Sequence, residues 1–523
     1  MTIQSASEII KQPLFGLKLV VCGYELERKE HRGIAVFSKG LIYSLKEAGA
    51  EVWLLTELSP SDIKGKSQLP YSVRRLVFMS RLLDQLSSGE AYPYDDSTLK
   101  RWLRNKPLLG WSLSISKVGR QWKRNLFPQR KIRSNQLSFL PLGQLISSPY
   151  QSCERLAYLR YIDGIICARD CFTDSFNLAK RRSNQKLQID LNGFDGIIST
   201  SPLNIEPLNT DIFVQTLHDL IPFEYARTLD NLPSFFQRLN ATISSRRIFV
   251  SKDAEQKYNA SILPDTHCDA KRLASKVIYQ CPSLHFPEDA LDWEANVCEL
   301  TIQSSEDLHL HSLNPFGFLL FNSSLVPHKN ILFALRAFME SGVERLGVKF
   351  CITGQPQNDE YSNTVQQLAN KHKNIIFTGY VDEATKRHLY LNALALISPS
   401  LVEGFGIPVL DAACLGLAAV ASPVGSHKEI QQMRDFDTYV VLRSTLDTSD
   451  WASAIRKLAM HHQDKVARMS QNDVQALLNK IRENRILRYN LVQKIINIEF
   501  TNSICELLSP AKNGKPTRLD LVN

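Results

Sequence analysis

From Phe316 onward the chain alternates short apolar runs with amphipathic segments, joined by connections too short for anything but a layered α/β sheet. Phe316 to Phe321 reads as a strand, Ile331 to Ser341 as a helix, Val348 to Thr353 as a strand and Asn363 to Lys371 as a helix. Strand Ile375 to Phe377, helix Glu383 to Asn392 and strand Ala395 to Ser398 continue the series. A helix after Phe405 and a short strand Ala418 to Ala421 complete it. Parallel strands need helical crossovers, and right-handed crossovers wind such a sheet in both directions from its middle.

The N-terminal end starts the same way. Leu17 to Cys22 reads as a strand, Glu25 to His31 as a polar loop, the segment from Gly33 as a helix and Glu51 to Leu55 as a second strand. The alternation resumes with strands at Gly196 to Ser199, Ile212 to Leu217 and Arg247 to Ser251. At 523 residues the chain is too long for one core. The expected architecture is therefore α/β, with two doubly wound Rossmann-like domains facing across a cleft. Residues 1–295 form the first and 310–480 the second, with a polar linker between them over Pro287 to Leu313. Residues 60–190 break the alternation and read as an insertion. A helical tail, within 481–523, is expected to cross back to the first domain.

Hydrophobic content of 44% with 22% charged residues fits a globular protein, and no run approaches the ~20 apolar residues of a membrane span. Met1 to Phe15 lacks the basic start and apolar core of a secretory signal. The ten cysteines are scattered without paired metal-ligand spacing. Both features point to a cytoplasmic protein with free thiols and no metal site. The net charge of +9 is concentrated, because Ser97 to Cys153 contains no Asp or Glu. Its Lys100, Arg101, Arg104, Lys123, Arg124, Arg130, Lys131 and Arg133 are interleaved with Trp102, Trp111, Trp122 and Phe127. Such a face suits an anionic membrane surface. No nucleic-acid fold signature accompanies it. A solvated surface insertion is the plainer reading.

The densest chemical signal is Ser398-Pro-Ser-Leu-Val-Glu403-Gly404-Phe405-Gly406-Ile407-Pro408-Val-Leu-Asp411. It leaves a strand, crosses a glycine-containing turn and enters a helix through a proline suited to the first turn. N–H groups at such a start favour a phosphate, and the two glycines let the backbone approach a ligand closely. Glu403 could accept hydrogen bonds from sugar hydroxyls, and Asp411 from those of a ribose.

This string resembles the donor-site motif of the GT-B glycosyltransferases of family 4, also called glycosyl transferases group 1. Val326-Pro-His-Lys329-Asn330 resembles the family's turn presenting a phosphate-contacting lysine. Phe377-Thr-Gly379-Tyr-Val-Asp382-Glu383 resembles its strand–loop–helix entry. In the N-terminal half, Arg32-Gly33-Ile-Ala-Val-Phe-Ser38 resembles the glycine loop near the transferred sugar. His218-Asp219-Leu-Ile-Pro222 resembles the His-Asp-Leu strand end facing the cleft. The resemblance is continuous from about Phe316 to Glu429 and piecemeal before it.

The resemblance implies a retaining hexosyltransferase that needs no metal ion and no resident cofactor. A nucleotide-diphosphate sugar would be the donor, and a glycan, polysaccharide or lipid-linked chain the acceptor. Lys329 would neutralise the departing pyrophosphate, Glu403 would orient the sugar, and Gly404, Phe405, Gly406 and Ile407 would line it. Asp411 would bind the ribose, His218 would reach the anomeric centre, and Gly33 would bring the acceptor side against the donor. The Pro-His-Lys-Asn turn and His-Asp-Leu-Ile-Pro favour a mannosyl donor.

Two departures matter. Asn322-Ser-Ser-Leu325 carries no cation where many members have an arginine, and the second acid is the shorter Asp411. They keep open a second reading, a catalytically weak or inactive nucleotide-sugar-binding protein. An epimerase or phosphorylase of the same fold is a third. Asp435-Phe-Asp437 has the spacing of a metal-binding pair but falls in a loop after the donor motif. His309 and His311 have no further ligands near them in sequence.

Overall fold

The computed structural model describes residues 12–29, 31, 33–59, 70–89, 127–144, 153–181, 184–225, 231–263, 273–287, 300–303, 310–354, 356 and 359–509. Most of the basic, aromatic-rich stretch, Lys100 to Arg124 included, lies outside them, as do Arg32 and His309.

In the first half the strands are β1 (Lys18–Cys22), β2 (Glu51–Thr56), β3 (Lys131–Ile132), β4 (Ser138–Pro141), β5 (Gly164–Cys167) and β6 (Leu187–Asp190). Then come β7 (Gly196–Ser199), β8 (Ile205–Leu208), β9 (Ile212–Leu217), β10 (Arg246–Phe249) and β11 (Ser275–Val277). An eight-stranded sheet takes the order β11-β10-β9-β7-β1-β2-β5-β4. It is parallel except for β4, which runs antiparallel along β5. The 60–190 region is not simply an insertion, since it supplies β4 and β5 to this sheet and begins the small parallel sheet β3-β6-β8. Central strands such as β7 and β9 are buried along their whole length, as a parallel sheet covered on both faces requires.

Past the first sheet, β12 (Leu300–Gln303) and β13 (Leu310–Leu313) pair as an antiparallel hairpin where a plain linker was expected. The second sheet contains β14 (Phe318–Phe321), β15 (Lys349–Ile352), β16 (Ile375–Phe377), β17 (Ala395–Ser398), β18 (Ala419–Ala421) and β19 (Val440–Leu442). Its order, β16-β15-β14-β17-β18-β19, is parallel throughout. Edge strand β19 went unseen in the sequence because only three residues form it and just Val440 is buried. Two Rossmann-like sheets of this kind constitute the GT-B arrangement.

Helices start where short polar side chains can satisfy the first free N–H groups. Asn231, Ser251, Asp359, Asp382 and Asp447 each accept from a backbone N–H two or three residues on. The helices that matter most below are α1 (Gly33–Glu47), α2 (Tyr71–Ser88), α3 (Leu232–Ala241), α4 (Lys252–Ser261), α5 (Ile331–Ser341), α6 (Glu360–Ala369), α7 (Glu383–Asn392), α8 (Ile407–Leu415), α9 (Gly425–Gln431) and α10 (Gln471–Leu508).

Helix α10, 38 residues long, returns from the second sheet to the first. On the second sheet's side, Arg485 donates to the carbonyls of Leu391 (2.7 Å) and Ala393 (3.0 Å), closing the C-terminal end of α7. Arg488 grips both carboxylate oxygens of Asp435 at 2.9 and 2.7 Å. That ion pair occupies one acid of the Asp435-Phe-Asp437 string. On the first sheet's side, Phe500 meets Phe37 edge-on at 5.6 Å, and Arg246 donates to the Leu507 carbonyl at 2.7 Å.

Between these anchors Tyr489, fully buried, donates to Asp411 Oδ1 at 2.9 Å and accepts from the Leu284 N–H at 2.8 Å. One hydroxyl therefore joins α10, α8 and the segment after β11. Tyr489→Phe strands the Leu284 N–H in the core and removes one of the donors to Asp411, and should cost about 1–3 kcal/mol. A urea-unfolding midpoint equal to that of the wild type would show that this junction contributes nothing.

Candidate active site

Glycine geometry decides how closely the two halves meet. A Cβ on Gly404 would stand 2.5 Å from the His218 carbonyl oxygen, a contact that no L side chain tolerates. Gly404 therefore lets the loop ahead of α8 lie against the end of β9. Ser251 Oγ donates to the Gly404 carbonyl at 2.9 Å and secures the contact from the first half. Glu429, from α9, accepts from the N–H groups of Lys252 and Asp253 at 2.9 Å each, capping α4 from across the boundary. Gly33, at the start of α1, is placed so that a Cβ would touch Ile407 Cδ1 at 3.4 Å. Phe405, 2% exposed, stacks on Tyr279 at 5.8 Å.

Gly406 has φ +98°, a conformation that favours glycine, and a Cβ there would run into the His427 ring at 2.7 Å. His427 is fully buried, with Nδ1 held to the Ser422 carbonyl at 2.9 Å and Nε2 unpartnered behind the glycine loop. Burial lowers its pKa, against the pull of Glu403.

Lys329 and Glu403 find each other. Lys329 Nζ lies 2.6 Å from Glu403 Oε1, with side-chain exposures of 15% and 10%, and Ser400 Oγ donates to the same oxygen at 2.7 Å. Burial pushes the Glu403 carboxyl up, but Lys329, His427 and the Ser400 hydroxyl outweigh it, so Glu403 stays ionised below the usual carboxylate range. A half-buried pair of this sort holds a cation ready at the turn before α5.

Asp219, next to this pair, accepts from the Ile221 N–H at 3.1 Å. Burial raises its pKa to about 6, against the pull of that hydrogen bond and Lys329 and with the push of Glu403. It was legible only as the neighbour of His218, since nothing in the sequence places a strand-end acid beside a lysine 110 residues on.

His218 and Asp411 are each bonded to protein partners. His218 Nε2 lies 2.8 Å from the Thr200 carbonyl, which can only accept, so that nitrogen carries the proton. Its Nδ1 faces the Gln280 amide at 3.3 Å. Both ring nitrogens are thus engaged inside the first half, and the ring holds the cleft wall rather than offering a donor to a sugar. Asp411 is 1% exposed and accepts from Ser283 N at 2.6 Å, Ser283 Oγ at 2.5 Å and Tyr489 Oη. Its position in α8 faces α10, which turns the expected ribose acceptor into part of the junction. The cation-free stretch is also tied inward, with Asn322 bonded to Tyr390 Oη and Thr353 Oγ1 at 2.8 Å each.

Beside these residues a cleft of about 930 Å³ opens between the halves. One wall carries Tyr24, Glu25, Ser201, His218, Asp219 and Arg238; the other carries Val326, His328, Asp359 and Tyr361. Lys329 and Glu403 do not line it. Among the described residues no group of three or more His, Cys, Asp or Glu is placed to hold a metal ion, and no helix is long and apolar enough to cross a membrane.

Residues 313–475 match the family model described as Glycosyl transferases group 1. An uncharacterized glycosyltransferase of Methanocaldococcus jannaschii is 35% identical over 113 residues, 21% of this chain and 28% of that protein. O-antigen chain mannosyltransferase B of Escherichia coli is 29% identical over 116 residues, 22% of this chain and 30% of that protein. The match thus spans less than a third of either curated relative. Among solved structures, sucrose-phosphate synthase from Thermosynechococcus elongatus aligns over 94% of this chain and 99% of its own, at 12% identity and a TM-score of 0.47. Anabaena HepE in complex with UDP and glucose aligns over 94% and 99%, at 13% identity and 0.45.

Burial lowers the His218 pKa from 6.5 to about 4. The native ring binds fewer protons than the unfolded one between those values, so its contribution to stability is lost as pH falls from 6.5 toward 4. At pH 5 that loss amounts to about 2 kcal/mol relative to pH 8. Asp219 acts in the opposite sense, and its effect is common to wild type and variant. His218→Gln should therefore show a smaller drop in urea midpoint between pH 8 and pH 5 than the wild type. Equal drops would mean that the ring is protonated in the native state at pH 5.

Proposed function

We propose that this chain is a retaining hexosyltransferase that moves a sugar from a nucleotide-diphosphate donor to a glycan, polysaccharide or lipid-linked acceptor without a metal ion. The observation that carries the reading is the Lys329–Glu403 pair, set at the glycine loop where the two halves touch. The match of residues 313–475 to glycosyl transferases group 1 supports it.

As the glycosidic bond breaks, negative charge grows on the departing diphosphate, and a fixed cation nearby lowers the barrier by stabilising that charge. Lys329 would exchange Glu403 for phosphate and free the carboxylate to accept sugar hydroxyls. Gly404 and Gly406 give the loop its close-packed shape, and the N–H groups leading into α8 would face the donor phosphate. His218 would shape the wall beside the sugar through its fixed ring. Attack would come from the face the diphosphate leaves, with the leaving phosphate oxygen taking the acceptor's proton, so that no separate base is needed. Burial between two closing halves keeps water from competing as acceptor.

A mannosyl donor is favoured by the His-Asp-Leu-Ile-Pro and Pro-His-Lys-Asn strings and by the likeness to an O-antigen mannosyltransferase. Thermal-shift measurements with UDP, GDP, ADP and their sugars test the donor assignment. A ligand at a hundredfold excess over Kd should stabilise the native state by about 2.7 kcal/mol. One nucleotide family should do so, and each of Lys329→Ala and Glu403→Ala should reduce the shift measured against its own unliganded midpoint. No shift with any nucleotide would favour the reading in which the missing arginine beside Ser323 has left a non-catalytic fold.

We further propose that the protein works in the cytoplasm, at an anionic membrane face. Besides the basic stretch, α2 exposes Tyr71 (69%) and Leu76 (54%) on a helix that also carries Arg74 and Arg75, and Phe127 is 75% exposed. Co-sedimentation with phosphatidylglycerol vesicles should be strong at low salt and fall as salt is raised. Equal recovery with neutral vesicles would remove the membrane from the proposal.

A further inference from the structure

The cleft is lined by charges of very unequal sign. Glu25 and Asp219 stand on the wall of the first half, and Asp359 and Glu360 on that of the second. His218 and His328, also lining it, are both held near pKa 4 by burial and are neutral in ordinary buffer. Among the described lining residues, Arg238 is the one side chain that is cationic at neutral pH.

Arg238 is also held in place. It projects from α3, with its guanidinium carbon 5.0 Å from the Phe176 ring centroid and 5.2 Å from that of Phe235. Phe235 is itself 7% exposed, and Phe176 is fixed by Tyr24 at 5.0 Å between centroids. A guanidinium bracketed by two fixed rings has already lost much of its side-chain freedom, so binding an anion costs it less. Its fork matches the paired oxygens of a carboxylate or phosphate. Glu25 and Asp219 repel an anion and accept hydroxyl hydrogen bonds, and the Tyr24 ring supplies apolar surface.

We infer that the wall formed by Tyr24, Glu25, Asp219, Phe235 and Arg238 is an acceptor subsite for a saccharide bearing a carboxylate or a phosphate monoester. The anionic substituent sits on Arg238, and the hydroxyls of the same sugar meet Glu25 and Asp219. Surrounding acids restrict the anion to that one place. This inference rests on the glycosyltransferase reading for the word acceptor, but the binding it requires does not depend on donor or turnover.

The test is ligand-observed NMR titration of the full chain, without nucleotide, using methyl glucuronide, glucose 6-phosphate, methyl glucoside and inorganic phosphate. The charged sugars should bind at least ~10-fold tighter than methyl glucoside, and Arg238→Met should abolish that difference. Arg238→Lys, which keeps the charge and loses the fork, should retain part of it. Tighter binding of the glucuronide would assign a uronic acid, and of glucose 6-phosphate a phosphorylated sugar. Equal binding of charged and neutral sugars by the wild type would overturn the inference, whatever the variants do. So would inorganic phosphate binding as tightly as glucose 6-phosphate, or a preference that survives Arg238→Met. Nucleotide binding, measured separately at Lys329, would be untouched by any of these results, so the two readings fail independently.

Discussion

The two halves of this molecule can pack backbone to backbone because one residue has no side chain. Gly404 puts its backbone against the carbonyl of His218, and a single carbon added there would force the loop ahead of α8 away from the end of β9. The rest of the site follows from that approach. The Ser251 hydroxyl reaches the Gly404 carbonyl, Ile407 comes up to Gly33, and Asp219 falls within the field of Lys329 and Glu403. Steric permission comes first, and the electrostatics are arranged around it.

The charges at the junction are balanced by desolvation in opposite ways. Glu403 keeps its charge in a buried setting because a lysine, a histidine and a hydroxyl all favour the ionised form. Asp219, close by and accepting from the Ile221 N–H, is pushed toward neutrality by burial. Two carboxylates in one neighbourhood thus differ in how readily they hold a proton, which distinguishes a group that shapes charge from one that can shed it. The His218 ring, neutral and held on both sides, adds shape without adding charge.

Much of the second half was legible because strand and helix periods there are clean. Ile331–Ser341, Ile375–Phe377, Glu383–Asn392 and Ala395–Ser398 fall where the apolar pattern places them. Local pattern could not reveal what depends on contacts between distant segments. Edge strand β19 buries too little to leave a periodic trace, and β4 joins the first sheet antiparallel from a region with no alternation of its own. The same limit applies to the site. Lys329 and Glu403 were marked by their motifs and do meet. Asp411 was marked by the same string as Glu403, yet its partners, Ser283 and Tyr489, lie 128 and 78 residues away, beyond the reach of any local pattern. Arg238 carried no motif and stands out only once Phe176, from another helix, is seen beneath it.

Helix α10 gives the pair of sheets a mechanical character. At ~1.5 Å per residue its 38 residues extend about 57 Å. It is held near its middle by Arg485 and Arg488 and near its C-terminal end by Phe37 and the Arg246 side chain. A single helix fastened to both sheets makes their packing one continuous unit. Tyr489 and Asp411 tie that helix to α8, the helix that the Gly404 loop enters, so the long rod and the meeting of the two halves share one support.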